Sequence, residues 1–538
     1  MGAGAGRPCA CDRRGRLLLA GPLMGAVMKA PALSRRELVW VALAALLWLA
    51  WSAGLRPLEL PDEGRYVGVA WEGLRSGQWL VPLLNGEPFF HKPPLFYWIT
   101  EASLTLFGSS ALAARTAPLL GGWMAALSLW WLLRRWSGPA LARVALMVLL
   151  AMPLTLLGSQ YANLDMLVAG CVSATVCLAA DALLRRQQGL PWQRVLVAAH
   201  AVAGLGVLAK GLIGFVLPGL IVMIWLAWRR RWRDLPVLFW PPGLLVMVAV
   251  ASPWYVAMQM RFPEFLHFFF VVQHFERFSG GGFNNAMPFW FFPAVLLVAS
   301  LPALPWLVLG HLGTRPRDRE DDHGLLSLMG VWLVTVVVFF SLPQSKLVGY
   351  ILPAVPPLAA LVALAWQRLQ PATPRMRLWG WVSLGLSAAV SVGAVIALTV
   401  SPLRTTRALA EDLRSQRHAG EPVFMLNRFD YDLPMYAGLD APVWVQSDWD
   451  TEDPMARDNW RKELAETRHF SPTGENRHLV NEAAMLKAMC AAPVSWLVAS
   501  TRDVPAHPWL TRVEPVSTHR GLSLWRLAPA QLPCGAQG

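Results

Sequence analysis

Residues 144–180 read VALMVLLAMPLTLLGSQYANLDMLVAGCVSATVCLAA, and one acidic or basic residue, Asp165, stands alone between Arg143 and Asp181. The runs on either side of it approach the roughly 20 apolar residues that a helix needs to cross a hydrocarbon core. The same texture recurs along the chain, with charge-free runs at 39–55, 116–133, 195–209, 211–228, 235–260, 278–314, 347–367 and 378–403. Of 538 residues, 55% are apolar and 15% charged, with 28 Trp and 42 Pro. A soluble domain carries about 25% charged residues, so an ordinary soluble fold is excluded; disorder, collagen and coiled coil fail on the same composition.

Eleven spans follow, at about 37–54, 112–134, 140–160, 163–183, 194–209, 211–228, 236–256, 288–311, 325–342, 347–366 and 378–400. A shorter apolar helix at 94–107 is read as lying along the interface. The expected fold is a polytopic α-helical membrane bundle of 11 to 13 transmembrane helices. Its parts are a cytoplasmic tail (1–36), a transmembrane domain (37–400) with a large first external loop (55–111), and a soluble domain (402–538). That last region is charged and turn-rich, with strand-like runs PVFMLN, APVWVQS, SWLVAS and GLSLWRLA, and reads as α/β. The first 30 residues hold no convincing signal peptide.

The net charge of +13 (47 Lys+Arg, 34 Asp+Glu) would suggest nucleic acid in a soluble protein. Its distribution argues otherwise. Clusters at Arg35/Arg36, Arg134/Arg135/Arg143, Arg185/Arg186/Arg194, Arg229–Arg233, Arg315/Arg317/Arg319 and Arg368/Arg375/Arg377 all fall on the cytoplasmic side of eleven spans. The excess is topological, and no nucleic-acid partner is expected. Cys490 and Cys534 both fall in the external domain, where a disulfide can persist, and are expected to pair.

Charged residues at membrane depth mark function by default. Asp165, Lys210 (VLAKGLIG) and Lys346 (PQSKLVGY) each stand alone, and the topology brings all three to the external face. The first external loop adds Asp62, Glu63, Arg65 and Tyr66 in PDEGRY, and His91 and Lys92 in FFHKPPLFYW; the loop before the eighth span adds His274, Glu276 and Arg277. For a lysine near a helix end the competing reading is a charge that snorkels to the headgroups. Cations suit a phosphate, and carboxylates suit a general base, a metal or an ammonium group. Over an apolar bundle the mixture fits an enzyme acting on a lipid-linked phosphate, although transporters also gather charge at one face.

The stretch LPDEGRYVGVAWEGLRSGQWLVPLLNGEPFFHKPPLFYW (60–98) resembles the first external loop of the 4-amino-4-deoxy-L-arabinose lipid A transferases. These are C-type glycosyltransferases related to the protein O-mannosyltransferases. The resemblance continues through GSSALAARTAPLLGG (108–122), LDM (164–166), LAKGLIGFVLPG (208–219), HFERF (274–278) and SKLVGYILPAVPPLAALVA (345–363). It implies transfer of an aminosugar from undecaprenyl phosphate to a lipid A phosphate at the periplasmic face of the bacterial inner membrane. Polymyxin resistance would be the outcome, and the soluble domain would be periplasmic.

Carried over by position, the resemblance makes Asp62 the catalytic carboxylate and puts Arg65, Tyr66, Lys92, Asp165, Lys210, Lys346 and Tyr350 in the cavity. Glu63 and Arg277 join the cavity from the same loops. Asp165 is expected as a second catalytic carboxylate, in contact with the sugar or its ammonium, and Arg65, Lys92, Lys210 and Lys346 are expected to bind phosphate. Some family members hold zinc near the positions of His91 and His274, where the expected first residue is acidic. Two ligands do not make a zinc site, and no cofactor is expected to be required. A monomer embedded in membrane lipids is expected. Competing readings are a different sugar such as glucosamine or galactosamine, a hydroxyl acceptor on protein or envelope, and a lipid transporter, against which no inverted repeat is visible.

Overall fold

The computed structural model describes residues 34–276, 285–312, 322–369, 373–402, 404–449, 454, 459–471 and 476–534. Arg277 lies outside them, as do the Arg315/Arg317/Arg319 cluster and nearly all of the N-terminal tail; of His274 only the backbone is described.

Helices fill every expected span. α1 (Arg35–Ala50) starts on a Ser34 cap and ends ahead of a long connecting segment. That segment holds α2 (Asp62–Ser76), a two-stranded ribbon β1 (Leu83–Leu84) and β2 (Glu87–Pro88), and α3 (Leu95–Phe107). After the single turn α4 (Ala111–Ala114) come α5 (Thr116–Trp136), α6 (Pro139–Ala151) and α7 (Pro153–Ser159). α8 (Leu164–Gln187), α9 (Gln193–Lys210), α10 (Ile213–Trp228) and α11 (Pro241–Arg261) follow. α12 (Phe291–Ala299), α13 (Leu304–Leu312), α14 (Leu325–Ser341), α15 (Val355–Leu369) and α16 (Pro374–Val400) complete the bundle.

Two expected spans are not continuous. Residues 140–160 form α6 and α7, bent by 65°. Pro153 has no amide to continue the ladder, and its ring forces the preceding residue, Met152, into extended backbone. The 288–311 span is likewise split into α12 and α13 across Ser300–Ala303, where Pro302 interrupts. By length and composition five helices of the described residues suffice to cross a membrane, or six counting the bent pair.

α8 is the axis of the bundle, buried along nearly its whole length. Its partner α5 comes so close that a Cβ on Gly121 would sit 2.2 Å from the Met166 carbonyl oxygen, and one on Gly170 2.3 Å from that of Gly121. Small residues permit this approach, which in lipid supplies the dispersion energy that holds helices together. Peripheral α16 instead exposes Trp379, Trp381, Leu386 and Val400, as a lipid-facing helix does.

The C-terminal domain is a six-stranded mixed sheet in the order β5-β4-β3-β6-β8-β7. Its strands are β3 (Val423–Leu426), β4 (Trp444–Gln446), β5 (Leu479–Val480), β6 (Ser495–Ser500), β7 (Ser517–His519) and β8 (Leu522–Leu527). The four runs named from sequence contain β3, β4, β6 and β8; β5 and β7 lie outside them. The β3–β6 part is parallel, with β8 and β7 added antiparallel. Helices α17 (Arg407–Gln416), α18 (Leu433–Ala437), α19 (Trp460–Thr467) and α20 (Glu482–Ala491) surround it. Cys490 and Cys534 are joined by a disulfide.

Candidate active site

Two acid–base pairs sit at helix ends. Asp62 and Arg65 share the first turn of α2, with Asp62 Oδ1 2.5 Å from Arg65 Nη2. Asp165 lies in the first turn of α8, capped by Asn163: its amide donates to Asn163 Oδ1 at 2.9 Å and its Oδ2 accepts from Asn163 Nδ2 at 3.0 Å. A carboxylate is favoured there by the positive end of the helix dipole. Asp165 Oδ1 takes a hydrogen bond from Lys210 Nζ, at the last position of α9. Tyr350 lies under that ammonium, its ring centre 4.3 Å away. Gly349 leaves the space the carboxylate needs, since a Cβ there would fall 2.1 Å from Asp165 Oδ2.

Tyr66 joins the pairs: its hydroxyl lies in the fields of Arg65, Asp62, Asp165 and Lys210, and burial pushes its pKa up to about 12. Burial also raises the pKa of Asp62, against the pull of Arg65 and with further upward pushes from Asp165 and Glu463. Asp62 nevertheless keeps 31% of its side chain exposed, the accessibility that a group meeting a substrate requires. Asp165 and Lys210 also border a narrow apolar cleft of about 10 Å³, lined by Val168, Val172, Ile213, Leu217 and Phe340.

Glu63 was expected in the cavity and is not there. It is fully buried, and accepts from Arg56 (2.5 and 3.1 Å), Arg115 (2.9 and 3.0 Å) and the amides of Ala162 (2.7 Å) and Glu59 (2.9 Å). One helical position beyond Asp62, its side chain points about 100° away, into the protein. Lys346 is also drawn from an open phosphate: Nζ donates to the carbonyls of Met287 (2.8 Å) and Pro343 (2.5 Å), and only 3% of the residue is exposed. It ties the strap 285–287 to 343–346. Lys92 is half-buried ahead of α3.

His91 Nε2 stands 2.5 Å from Glu466 Oε2, with its ring stacked on Phe89 at 4.1 Å. Among the described residues no group of three or more His, Cys, Asp or Glu is gathered for a metal. The expected partner His274 has no described side chain, so the zinc expectation rests on one histidine already facing a carboxylate.

Sequence reasoning missed Arg56, Arg115, Tyr431, Glu463 and Glu466. The two arginines had a signal. They stand at the ends of the first and second apolar runs opposite to the arginine clusters, and such exceptions need a partner. Glu463, 398 residues from Arg65, had none.

Residues 91–256 match the family described as dolichyl-phosphate-mannose-protein mannosyltransferase. The undecaprenyl phosphate-alpha-4-amino-4-deoxy-L-arabinose arabinosyl transferase of Edwardsiella ictaluri is 33% identical over 378 residues, covering 68% of this chain and 67% of that one. The protein of the same name from Erwinia tasmaniensis is 35% identical over 315 residues, 57% of this chain; the chain spans 55% of that relative's length. Among solved structures, ArnT from Cupriavidus metallidurans bound to undecaprenyl phosphate superposes with a TM-score of 0.74 at 22% identity, over 93% of this chain and 99% of that one. The oligosaccharyltransferase AglB of Archaeoglobus fulgidus gives 0.51 at 13% identity, over 88% and 70%. The bundle and its strand-containing C-terminal domain are therefore a fold shared with both.

Proposed function

Since the chain belongs to the family of undecaprenyl phosphate-alpha-4-amino-4-deoxy-L-arabinose arabinosyl transferases, we propose that it moves 4-amino-4-deoxy-L-arabinose from undecaprenyl phosphate to a phosphate of lipid A. The observation that carries the reading is the pairing of Asp62–Arg65 with Asp165–Lys210 above an apolar cleft. It offers cations for a phosphate and a partly exposed carboxylate, set against apolar helices.

In the reaction an oxygen of the acceptor phosphate attacks the anomeric carbon. The bond from that carbon to the donor phosphate oxygen breaks, undecaprenyl phosphate leaves, and the configuration inverts. Two phosphates must approach each other in a low-dielectric site, where their repulsion is severe unless neutralised. Arg65, Lys92 and Lys210 supply that charge and stabilise the leaving phosphate. The acceptor, with a second pKa of about 6, is already anionic, so Asp62 orients it and takes its proton only when it arrives as a monoanion. Asp165, held on Lys210, faces the sugar or its ammonium. Because the leaving group is a stable phosphate, the scheme requires no cofactor, and no step passes through zinc.

The arginine distribution supports eleven crossings with the N-terminus in the cytoplasm. Residues 402–538 and the site then face the periplasm of a bacterial inner-membrane protein that works as a monomer. The match to the mannosyltransferase family over 91–256 favours a second reading, a hydroxyl acceptor, in which Asp62 becomes indispensable as base.

The test is mass spectrometry of lipid A from a transferase-deficient host expressing the chain or its Asp62→Asn variant. A gain of about 131 Da with the wild type, on a phosphate whose charge the sugar masks, is the expected result; about 161 Da would mean a hexosamine. No gain with donor present would move the reading to hydroxyl acceptors.

A further inference from the structure

Among the described residues, the C-terminal domain reaches Arg65 through Glu463. Glu463, on α19 and 7% exposed, directs Oε1 to Arg65 Nη1 and Oε2 to the hydroxyl of Tyr431. The other arm of the Arg65 guanidinium, Nη2, reaches Asp62. Arg65 is thus strung between a carboxylate of the first external loop and one of the C-terminal domain.

Docking of the domain has other fastenings. Asn85 exchanges two hydrogen bonds of 2.9 Å with the backbone of Val443, and the Tyr436 hydroxyl accepts from the Leu58 amide at 2.7 Å. Gly64 and Gly68 let α2 lie directly on the Tyr431–Asp432 backbone, within 3.0 Å of a built Cβ. Among the described residues, the hydrogen-bond partners of the buried Glu463 carboxylate are the arginine and the phenol.

Resting on the transferase reading above, we propose that Glu463 is a positioning residue that divides the Arg65 fork, so that Asp62 keeps its charge available and Arg65 faces the donor phosphate. An arginine with a single carboxylate partner closes on it through both arms, in the bidentate pair that is strongest for these groups. With Glu463 neutral, Arg65 closes on Asp62. The carboxylate is then masked and the guanidinium is withdrawn from the developing phosphate charge. The same change removes a negative charge from beside the donor phosphate, which favours binding of the ground state. A loss confined to the transition state with tighter ground-state binding lowers kcat and KM together.

The experiment compares wild type, Glu463→Gln, Glu463→Asp, Tyr431→Phe and Arg65→Gln as full-length chains. It measures transfer kinetics and the binding of undecaprenyl phosphate as a probe. Glu463→Gln is expected to lose roughly tenfold in kcat, the scale of one charge-assisted hydrogen bond, with a lower donor KM. Glu463→Asp recovers part of the rate. Tyr431→Phe, which keeps the charge, changes kcat by less than about threefold, as for a neutral hydrogen bond. Glu463→Gln binds the probe at least as tightly as wild type, and Arg65→Gln binds it more weakly. A raised KM with a lowered unfolding midpoint in Glu463→Gln, or an unchanged kcat, would overturn the proposal in favour of simple docking. If the wild type transfers no sugar, the transferase reading fails separately. The probe still decides, because weaker binding by Glu463→Gln than by wild type rejects the positioning role.

Discussion

Asp62 and Glu63 are adjacent carboxylates with opposite fates. Glu63 accepts from two arginines that also bind the backbone: Arg115 donates to the carbonyls of Ala53, Arg56 and Pro57 at 2.6–2.9 Å. It therefore locks the exit of the first span to the start of the second. Burial alone would favour its neutral form, but Arg115 and Arg56 outweigh it and hold the pKa at about 2, against an ordinary 4.5. A lowered pKa means stability that is present above pH 4.5 and lost as pH falls toward 2, about 3 kcal/mol at one pKa unit per 1.36 kcal/mol. Glu63→Gln leaves two buried arginines uncompensated and should cost about 3–5 kcal/mol. A thermal-unfolding midpoint within a degree of wild type would contradict that role.

For Asp62 the sign is reversed. Its pKa lies above the ordinary 3.8, with burial the main cause and Arg65 opposing. As pH drops it protonates earlier than a free aspartate, and the acidic limb of kcat/KM should follow. Arg65→Gln removes the opposing charge, so that limb should move to higher pH. A pH–rate profile of the two proteins checks the direction. Nothing in the sequence separated these two acids; the periodicity of α2 did so once its inner face was known.

At the scale of elements, glycines set how near helices come. Gly121 and Gly170 bring α5 and α8 to backbone contact. Gly170→Val should force them apart, at about 1–3 kcal/mol for overpacking and more where backbone must move. A folded yield from membranes equal to wild type would reject the contact. Gly68 acts similarly across domains, since a Cβ there would lie 2.9 Å from the Tyr431 carbonyl oxygen. Gly68→Leu should loosen the C-terminal domain and raise its protease sensitivity, with the membrane bundle intact. The elements were legible because apolar runs of helical length have few alternatives in lipid. The kink at Pro153 was written in the sequence too, but its 65° angle came from packing.

For the whole molecule, the plan of a helical bundle followed by an α/β domain was readable from where the apolar runs and the strand-like runs fall along the chain. The Cys490–Cys534 disulfide closes a segment with a sequence separation of 44. It links the end of α20 to the residues after β8. Breaking it with Cys490→Ser should destabilise that domain by about 2–4 kcal/mol, the usual effect of releasing such a loop. Non-reducing peptide mapping of wild type should recover the linked fragment, and two free thiols there would refute the pairing.

The sequence by itself determined the helical class of the bundle, the order of its apolar runs, and the family. Hydrophobic length and arginine distribution act locally and survive without tertiary contacts. Only the tertiary structure decided which charges are drawn into buried partnerships and which stay partly open. Glu63 and Lys346 look like site residues in the sequence and are consumed by buried partners. Glu463 looks like any acid of a soluble helix and reaches Arg65 across 398 positions. Ion pairs depend on distances of a few ångströms between atoms far apart in the chain, and no local pattern encodes them.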